Sequence, residues 1–177
     1  MELKGSQTEK NLWAAFAGES QAHTKYLYYA SQAQKDGYQQ ISDIFNETAR
    51  NEKAHAKIWF KLVHGVGDTK ENLADAAAGE HGEWTSMYPE FARVAREEGF
   101  DKIARLFDAV GKIEQEHDER YKILLSNVEE GKVFRRDEKI IWQCRNCGYV
   151  CESPQAPAKC PVCEHPQSFF QQLVRNY

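Results

Sequence analysis

From Ser6 to about residue 130 the hydrophobic and polar positions follow one another as in helices, and only Pro89 interrupts the run. The pattern predicts four helices, at about 8–36, 38–64, 70–98 and 100–130, punctuated by Gly37, the Gly65/Gly67 pair, Gly99 and Gly131. "SQTE" (Ser6 to Glu9) has the form of a capping box, and "DTKE" (Asp68 to Glu71) is the same device with aspartate as the cap. Beyond Gly131 the pattern changes. "KVFRRDEK" (132–139) is a charged connector, and residues 140–177 hold four of the five prolines, all the cysteines and short β-leaning runs such as "IIWQC" and "GYVC". These shifts place the domains at 1–131 and 140–177, with 132–139 as linker.

The first helical half recurs in the second. "TEKNLWAAFAGE" (8–19) matches "TKENLADAAAGE" (69–80) at a shift of 61 residues, and "GYQQISDIF" (37–45) matches "GFDKIARLF" (99–107) at a shift of 62. Carried forward, that shift sets Glu52 on Glu114 and His55 on His117, so that "EKAH" answers "EQEH". Short connections make each hairpin antiparallel. Glu19 lies 18 residues before Gly37 and Glu52 lies 15 after it. At 1.5 Å per residue those are roughly 27 and 22 Å, so the two acids meet at similar height in mid-helix. Glu80 and Glu114 repeat the arrangement about Gly99.

Glu-x-x-His places its two side chains on one helix face. A single copy arises by chance on surface helices; two copies at matching repeat positions, each with its mid-helix glutamate, do not. Four carboxylates in a bundle core carry a heavy desolvation cost unless cations sit among them. Two divalent metals remove that objection, and hard oxygens with one imidazole per metal suit iron or manganese. One Glu from each of two helices plus Glu-x-x-His from the other two is the general pattern of ferritin-like di-iron proteins. Glu83 breaks the symmetry: it shares a face with Glu80, while its repeat position holds Ala22. It is a candidate seventh ligand that makes the two metals inequivalent. Tyr26 and Tyr88 follow Glu19 and Glu80 by about two turns and point to the surroundings of the site, or else to plain core. Trp13, Trp59 and Trp84 read as packing, and His23, His64, His81 and His165 lack a repeat partner.

"CRNC" (144–147) and "CPVC" (160–163) are two Cys-x-x-Cys knuckles twelve residues apart. Four thiolates make a tetrahedral site, a structural staple with zinc or a one-electron carrier with iron. A tail this short needs such a staple. Cys151 has no partner and reads as a spectator. Clustered cysteines, with no apolar leader in "MELKGSQTEK", point to the cytoplasm. The formal charge of −4 argues against nucleic acid as partner, and no apolar run approaches a membrane span.

In "AGES", "NEKAH", "GEHGEW", "IEQEH" and "CRNCGYV…CPVC" the sequence resembles the rubrerythrins over essentially its full length. The resemblance implies an all-α, ferritin-like four-helix bundle joined to a small β-rich, rubredoxin-like domain with one iron on Cys144, Cys147, Cys160 and Cys163. It implies a di-iron site of Glu19, Glu52, His55, Glu80, Glu83, Glu114 and His117, with Glu52 and Glu114 bridging. Glu83 and His55 would exchange at one iron as the redox state changes, with Tyr26 and Tyr88 nearby. The implied activity is reduction of hydrogen peroxide to water in an anaerobe or microaerophile. Electrons would come from NADH or NADPH through a flavoprotein reductase or rubredoxin. The rival readings are a ferroxidase that stores iron, which needs no electron inlet, and a zinc-ribbon module on an inert bundle.

In the ferritin-like arrangement the second and third helices run parallel. Their link would have to span roughly 33 Å, whereas five or six residues reach about 20 Å. The expectation is therefore a domain-swapped homodimer or higher oligomer, the first hairpin of one chain completing its bundle with the second hairpin of another.

Overall fold

The structure is a computed structural model that describes residues 2–176. Helices α1 (Gln7–Lys35) and α2 (Gln39–Val63) form the first hairpin. The second is built from α3 (Thr69–Gly82), a π-helical turn (Glu83–Met87), α4 (Tyr88–Glu97) and α5 (Asp101–Glu129). The chain divides between Gly67 and Asp68 into two units, the second of which also carries the C-terminal sheet.

Both caps form where the sequence places them. Asp68 accepts from the Glu71 N–H at 3.0 Å while the Glu71 carboxylate accepts from the Asp68 N–H at 2.8 Å. Ser6 accepts from the Glu9 N–H, but the Glu9 carboxylate reaches back to Gly5 N–H instead of closing the box on Ser6. The hairpin corners are twins. Gly37 and Gly99 take φ of +86° and +83°, a conformation glycine adopts without steric cost. Beyond them, Tyr38 N–H bonds to Ala33 O and Phe100 N–H to Ala95 O, so each helix ends in a Schellman closure.

The buried positions show the duplication more plainly than the sequence does. Ala30, Ala33, Ser42 and Ala56 are buried in the first hairpin, and 62 positions later Ala92, Ala95, Ala104 and Asp118 are buried in the second. Positions seven apart (Ser42, Ala49, Ala56; then Ala104, Gly111, Asp118), small at all but Asp118, line the seam along which each helix pair closes. Aromatic contacts repeat as well. The Tyr26 and Phe45 rings lie 6.1 Å apart, as do those of Tyr88 and Phe107; Tyr29–Phe45 and Phe91–Phe107 both measure 5.6 Å.

The third predicted helix is not one α-helix. Tyr88 N–H bonds to Glu83 O, five residues back, and the helix widens by one residue at that point. This explains the change of repeat shift: Glu80 answers Glu19 at 61, but Tyr88 answers Tyr26 at 62. The added residue is absorbed in the π-turn, which begins at Glu83.

The sheet has the order β2-β1-β3, all antiparallel, with β1 at Arg135–Cys144, β2 at Val150–Gln155 and β3 at Phe170–Gln172. Trp142, Cys144, Ala156, Cys160 and Phe170 make its core, with the Trp142 indole N–H on Ser153 O at 3.0 Å. β1 starts inside the stretch expected as connector, because Arg135 pairs with Gln155 before an irregularity and regular pairing from Ile140. Among the described residues no helix is long and apolar enough to cross a membrane.

Candidate metal centres

Antiparallel pairing of α1 with α2 brings Glu19 to the Glu52/His55 face, and pairing of α3 with α5 brings Glu80 to Glu114 and His117. In each trio the donor atoms lie within 4.8 Å of one another. His55 Nδ1 is 2.9 Å from Glu52 and 3.9 Å from Glu19. His117 Nδ1 is 2.7 Å from Glu114 and 3.7 Å from Glu80. The two half-sites are copies in geometry as well as in sequence.

Their electrostatics call for a cation. Burial pushes the Glu80 carboxyl above its usual range, and the charges of Glu114 and Glu83 add to the push. Tyr88 is raised by burial and by the charges of Glu83, Glu114 and Glu80, so its hydroxyl keeps its proton beside three carboxylates. Glu52 is lowered by its side-chain hydrogen bonds with Glu19 and then His55. Carboxylate oxygens with one imidazole per half-site are a donor set for iron or manganese.

Glu83 stands outside the 4.8 Å trio, as the first residue of the π-turn. Its charge nevertheless reaches Glu80 and Tyr88. Trp84 does more than pack: its indole N–H donates to Asp118 at 3.0 Å. Asp118 also takes His81 and Lys122, and sequence reasoning passed over it. The signal was the position itself, an aspartate where the small-residue seam has Ala56 in the first hairpin.

The four cysteines converge through two knuckles of one design. Gly148 N–H bonds to Cys144 O and Cys144 N–H to Tyr149 O; Glu164 N–H bonds to Cys160 O and Cys160 N–H to His165 O. The turn after each knuckle needs a left-handed residue: Gly148 at φ +78°, and Glu164 at φ +62°. The sulfurs of Cys144 and Cys163 are 3.7 Å apart, and those of Cys147 and Cys160 are 3.6 Å apart. A tetrahedron with metal–sulfur bonds near 2.3 Å has edges of about 3.8 Å, so the cage already has the right size. The Tyr149 N–H alone would lower the Cys147 thiol, yet burial and the crowding thiols of Cys163, Cys160 and Cys144 push it up to about 12. Cys163, bonded by the His165 N–H, falls to about 6. Such a crowd ionises fully only around a cation. Cys151, on β2 opposite Trp142, is outside the cage.

A mostly helical chain with paired carboxylate–histidine half-sites and a four-cysteine cage is a ferritin-like di-iron protein carrying a rubredoxin-like domain. The sequence profile of rubrerythrin matches residues 10–125, and that of the rubrerythrin rubredoxin-like domain matches 142–171. The chain is 52% identical to a rubrerythrin of Porphyromonas gingivalis (99% of this chain, 94% of the relative). It is 50% identical to one of Nitratidesulfovibrio vulgaris (99% and 98%). A solved structure of partially reduced nigerythrin aligns at 32% identity over 95% of this chain and 87% of the other, with a TM-score of 0.38. The chain belongs to the rubrerythrin family. The di-iron ligands Glu19, Glu52, His55, Glu80, Glu114 and His117 and the four-cysteine site are in place.

Proposed function

We propose that this protein reduces hydrogen peroxide to water, with electrons passed from NADH or NADPH through a reductase or rubredoxin, in the cytoplasm. The observation that carries the reading is the coexistence of two Glu-x-x-His half-sites with a preformed four-sulfur cage. Storage of iron by oxygen needs no electron inlet. Bound metal would supply Lewis acidity and two electrons at the carboxylate site, and a one-electron carrier at the thiolates. Cys144, Cys147, Cys160 and Cys163 would hold that carrier. Glu52 and Glu114 would serve as the carboxylates common to both metals, and His55 and Glu83 would be alternative ligands of one of them, the imidazole suited to its more reduced state and the carboxylate to its more oxidised one. Tyr88 keeps its proton and donates a hydrogen bond to an oxygen at the site.

Each half-site is finished by another hairpin, and we assign that role to a second copy of the chain in a swapped dimer. From Glu52 to Val63 and from Thr69 to Glu80 the helices rise about 33 Å in total. The six peptide steps between Val63 and Thr69 reach about 22 Å at most. Each hairpin also exposes a matching apolar face: Ile41, Ile44 and Leu62 in the first, and Ile103, Leu106 and Leu124 in the second, are all 43% exposed or more. Burying a side chain of that size is worth about 1.5–3 kcal/mol, a strong drive to pair the faces.

Metal analysis with visible spectroscopy is the first test. Thiolate-to-iron bands and about three irons per chain are expected. Rapid-mixing experiments on the reduced protein should show reoxidation by peroxide much faster than by oxygen; the reverse order would make it a ferroxidase. Sedimentation should show a dimer, and a monomer with a full metal complement would rule out the swap.

A further inference from the structure

Within the helices one ionisable side chain is buried among the described residues: Asp118, 1% exposed. Its Oδ2 accepts from His81 Nδ1 at 3.0 Å, Trp84 Nε1 at 3.0 Å and Lys122 Nζ at 2.7 Å. Its Oδ1 is buried with no partner. A buried carboxylate is costly to keep, and removing its partners is costlier still, so such a group specifies a geometry more than it adds stability.

The geometry it specifies concerns the π-turn. His81 follows the ligand Glu80, Trp84 follows Glu83, and Asp118 itself follows the ligand His117. His81 and Trp84 flank the start of the Glu83–Met87 turn, so one carboxylate ties that stretch of α3 to α5. We infer that Asp118 is a positioning residue, which pins the turn carrying Glu83 against α5 and so makes the second half-site unlike the first.

The first hairpin is the internal control. The position answering Asp118 is the buried Ala56, and the one answering Lys122 is Phe60. Ser20 and His23 answer His81 and Trp84, and the His23 ring bonds the backbone oxygen of Ala49, 2.8 Å away, in place of an acid. There α1 runs without a break from Gln7 to Lys35. Where no widened turn needs holding, no acid is buried. Two hydroxyls add to the ties: Thr85 donates to His81 O and Ser86 to Gly82 O, serving carbonyls beside the turn.

Amide hydrogen exchange on the metal-free full chain reads the pin directly. In Asp118→Ala the amides of residues 83–88 should exchange at least about tenfold faster, while those of residues 52–56 and most of α5 hold their rates. Asp118→Asn retains a carbonyl acceptor for the indole and should recover most of the protection. Should Asp118→Ala fail to fold, Trp84→Phe removes one donor alone and is read in the same way. Unchanged exchange at 83–88, or an equal rise throughout 69–129, overturns the assignment. The consequence for the site rests on the di-iron reading and is measured separately by ferrous titration. One of the two carboxylate-site equivalents should weaken about tenfold in Asp118→Ala and regain affinity in Asp118→Asn. Wild-type protein that binds no ferrous ion at that site would sink the di-iron reading and leave the exchange result standing.

Discussion

The two hairpins are duplicates that differ beside their half-sites in one stretch. They share corners, seam, aromatic contacts and half-site: His55 sits 2.9 Å from Glu52, and His117 sits 2.7 Å from Glu114. They differ from Glu83 to Tyr88, where the second carries one more residue in a π-turn, with a buried aspartate and a glycine facing it. Duplication explains how a chain comes by two metal half-sites. The local difference gives the two half-sites unlike surroundings, which the proposed exchange of His55 and Glu83 at one metal would require.

The shared part should break symmetrically, with the largest effect. Glu52→Ala and Glu114→Ala each remove a carboxylate proposed to touch both metals. Each is expected to cost most of the carboxylate-site iron and at least about 100-fold in peroxide turnover. Iron per chain and steady-state rates check this, with the iron of the four cysteines unaffected. A large loss in one variant alone would mean that the halves are not copies in function.

The differing part should break on one side only. Glu83→Ala is expected to leave the iron count near that of the wild type and to slow peroxide turnover about tenfold. The comparison variant is Ala22→Gly, at the repeat position, with no effect on rate. Single-turnover reoxidation separates slower chemistry from slower reloading through the cysteine site.

How much of this difference was legible in the sequence depends on the kind of signal. The ligands were readable because their chemistry is fixed by residue type and their positions by the repeat: Glu19, Glu52 and His55 each had a counterpart to confirm it. The cysteine knuckles were readable for the same reason. The π-turn was not, although the slip from 61 to 62 recorded the extra residue, because a helix can absorb an insertion as a turn, a bulge or a longer loop. Asp118 and its donors were hidden by the logic that found the ligands. His81 was set aside because it lacked a repeat partner and Trp84 because it read as packing, yet standing outside the repeat is what marks them both. The start of β1 at Arg135 was masked by the charges of "RRDEK", which suit an exposed strand as well as a linker.

Acid should act on the asymmetric half through Asp118. Its pKa is depressed to about 2, above all by the hydrogen bond from Lys122 and then by those from Trp84 and His81, against the opposing effect of burial. A depressed folded-state pKa adds stability that is complete above the unfolded value, near 3.9. That stability is lost as pH falls through the folded value. Denaturation of the metal-free protein should thus show a loss between about pH 4 and pH 2 that is smaller in Asp118→Asn. Equal acid sensitivity in both would mean that the carboxylate is not ionised in the fold.

The smallest effect belongs to the seam. A Cβ added at Gly111 would lie 3.2 Å from Tyr88 Cβ, an atom fixed to the α4 backbone that cannot rotate away. Its counterpart Ala49 is fully buried and already carries a Cβ at the equivalent place in the first hairpin. Gly111→Ala gains about 1 kcal/mol of helix propensity but must push α4 outward, and overpacking costs about 1–3 kcal/mol. The net expectation is a destabilisation of about 1 kcal/mol by chemical denaturation. Ala49→Gly loses propensity with no steric relief, and should cost a similar amount for the opposite reason. The two are told apart by the Tyr88 environment, which shifts only in Gly111→Ala and is visible in its near-ultraviolet spectrum against Tyr88→Phe. If Gly111→Ala stabilises the protein, the α4–α5 contact has room to spare, and the tight closure beside the π-turn is not what sets the second hairpin apart.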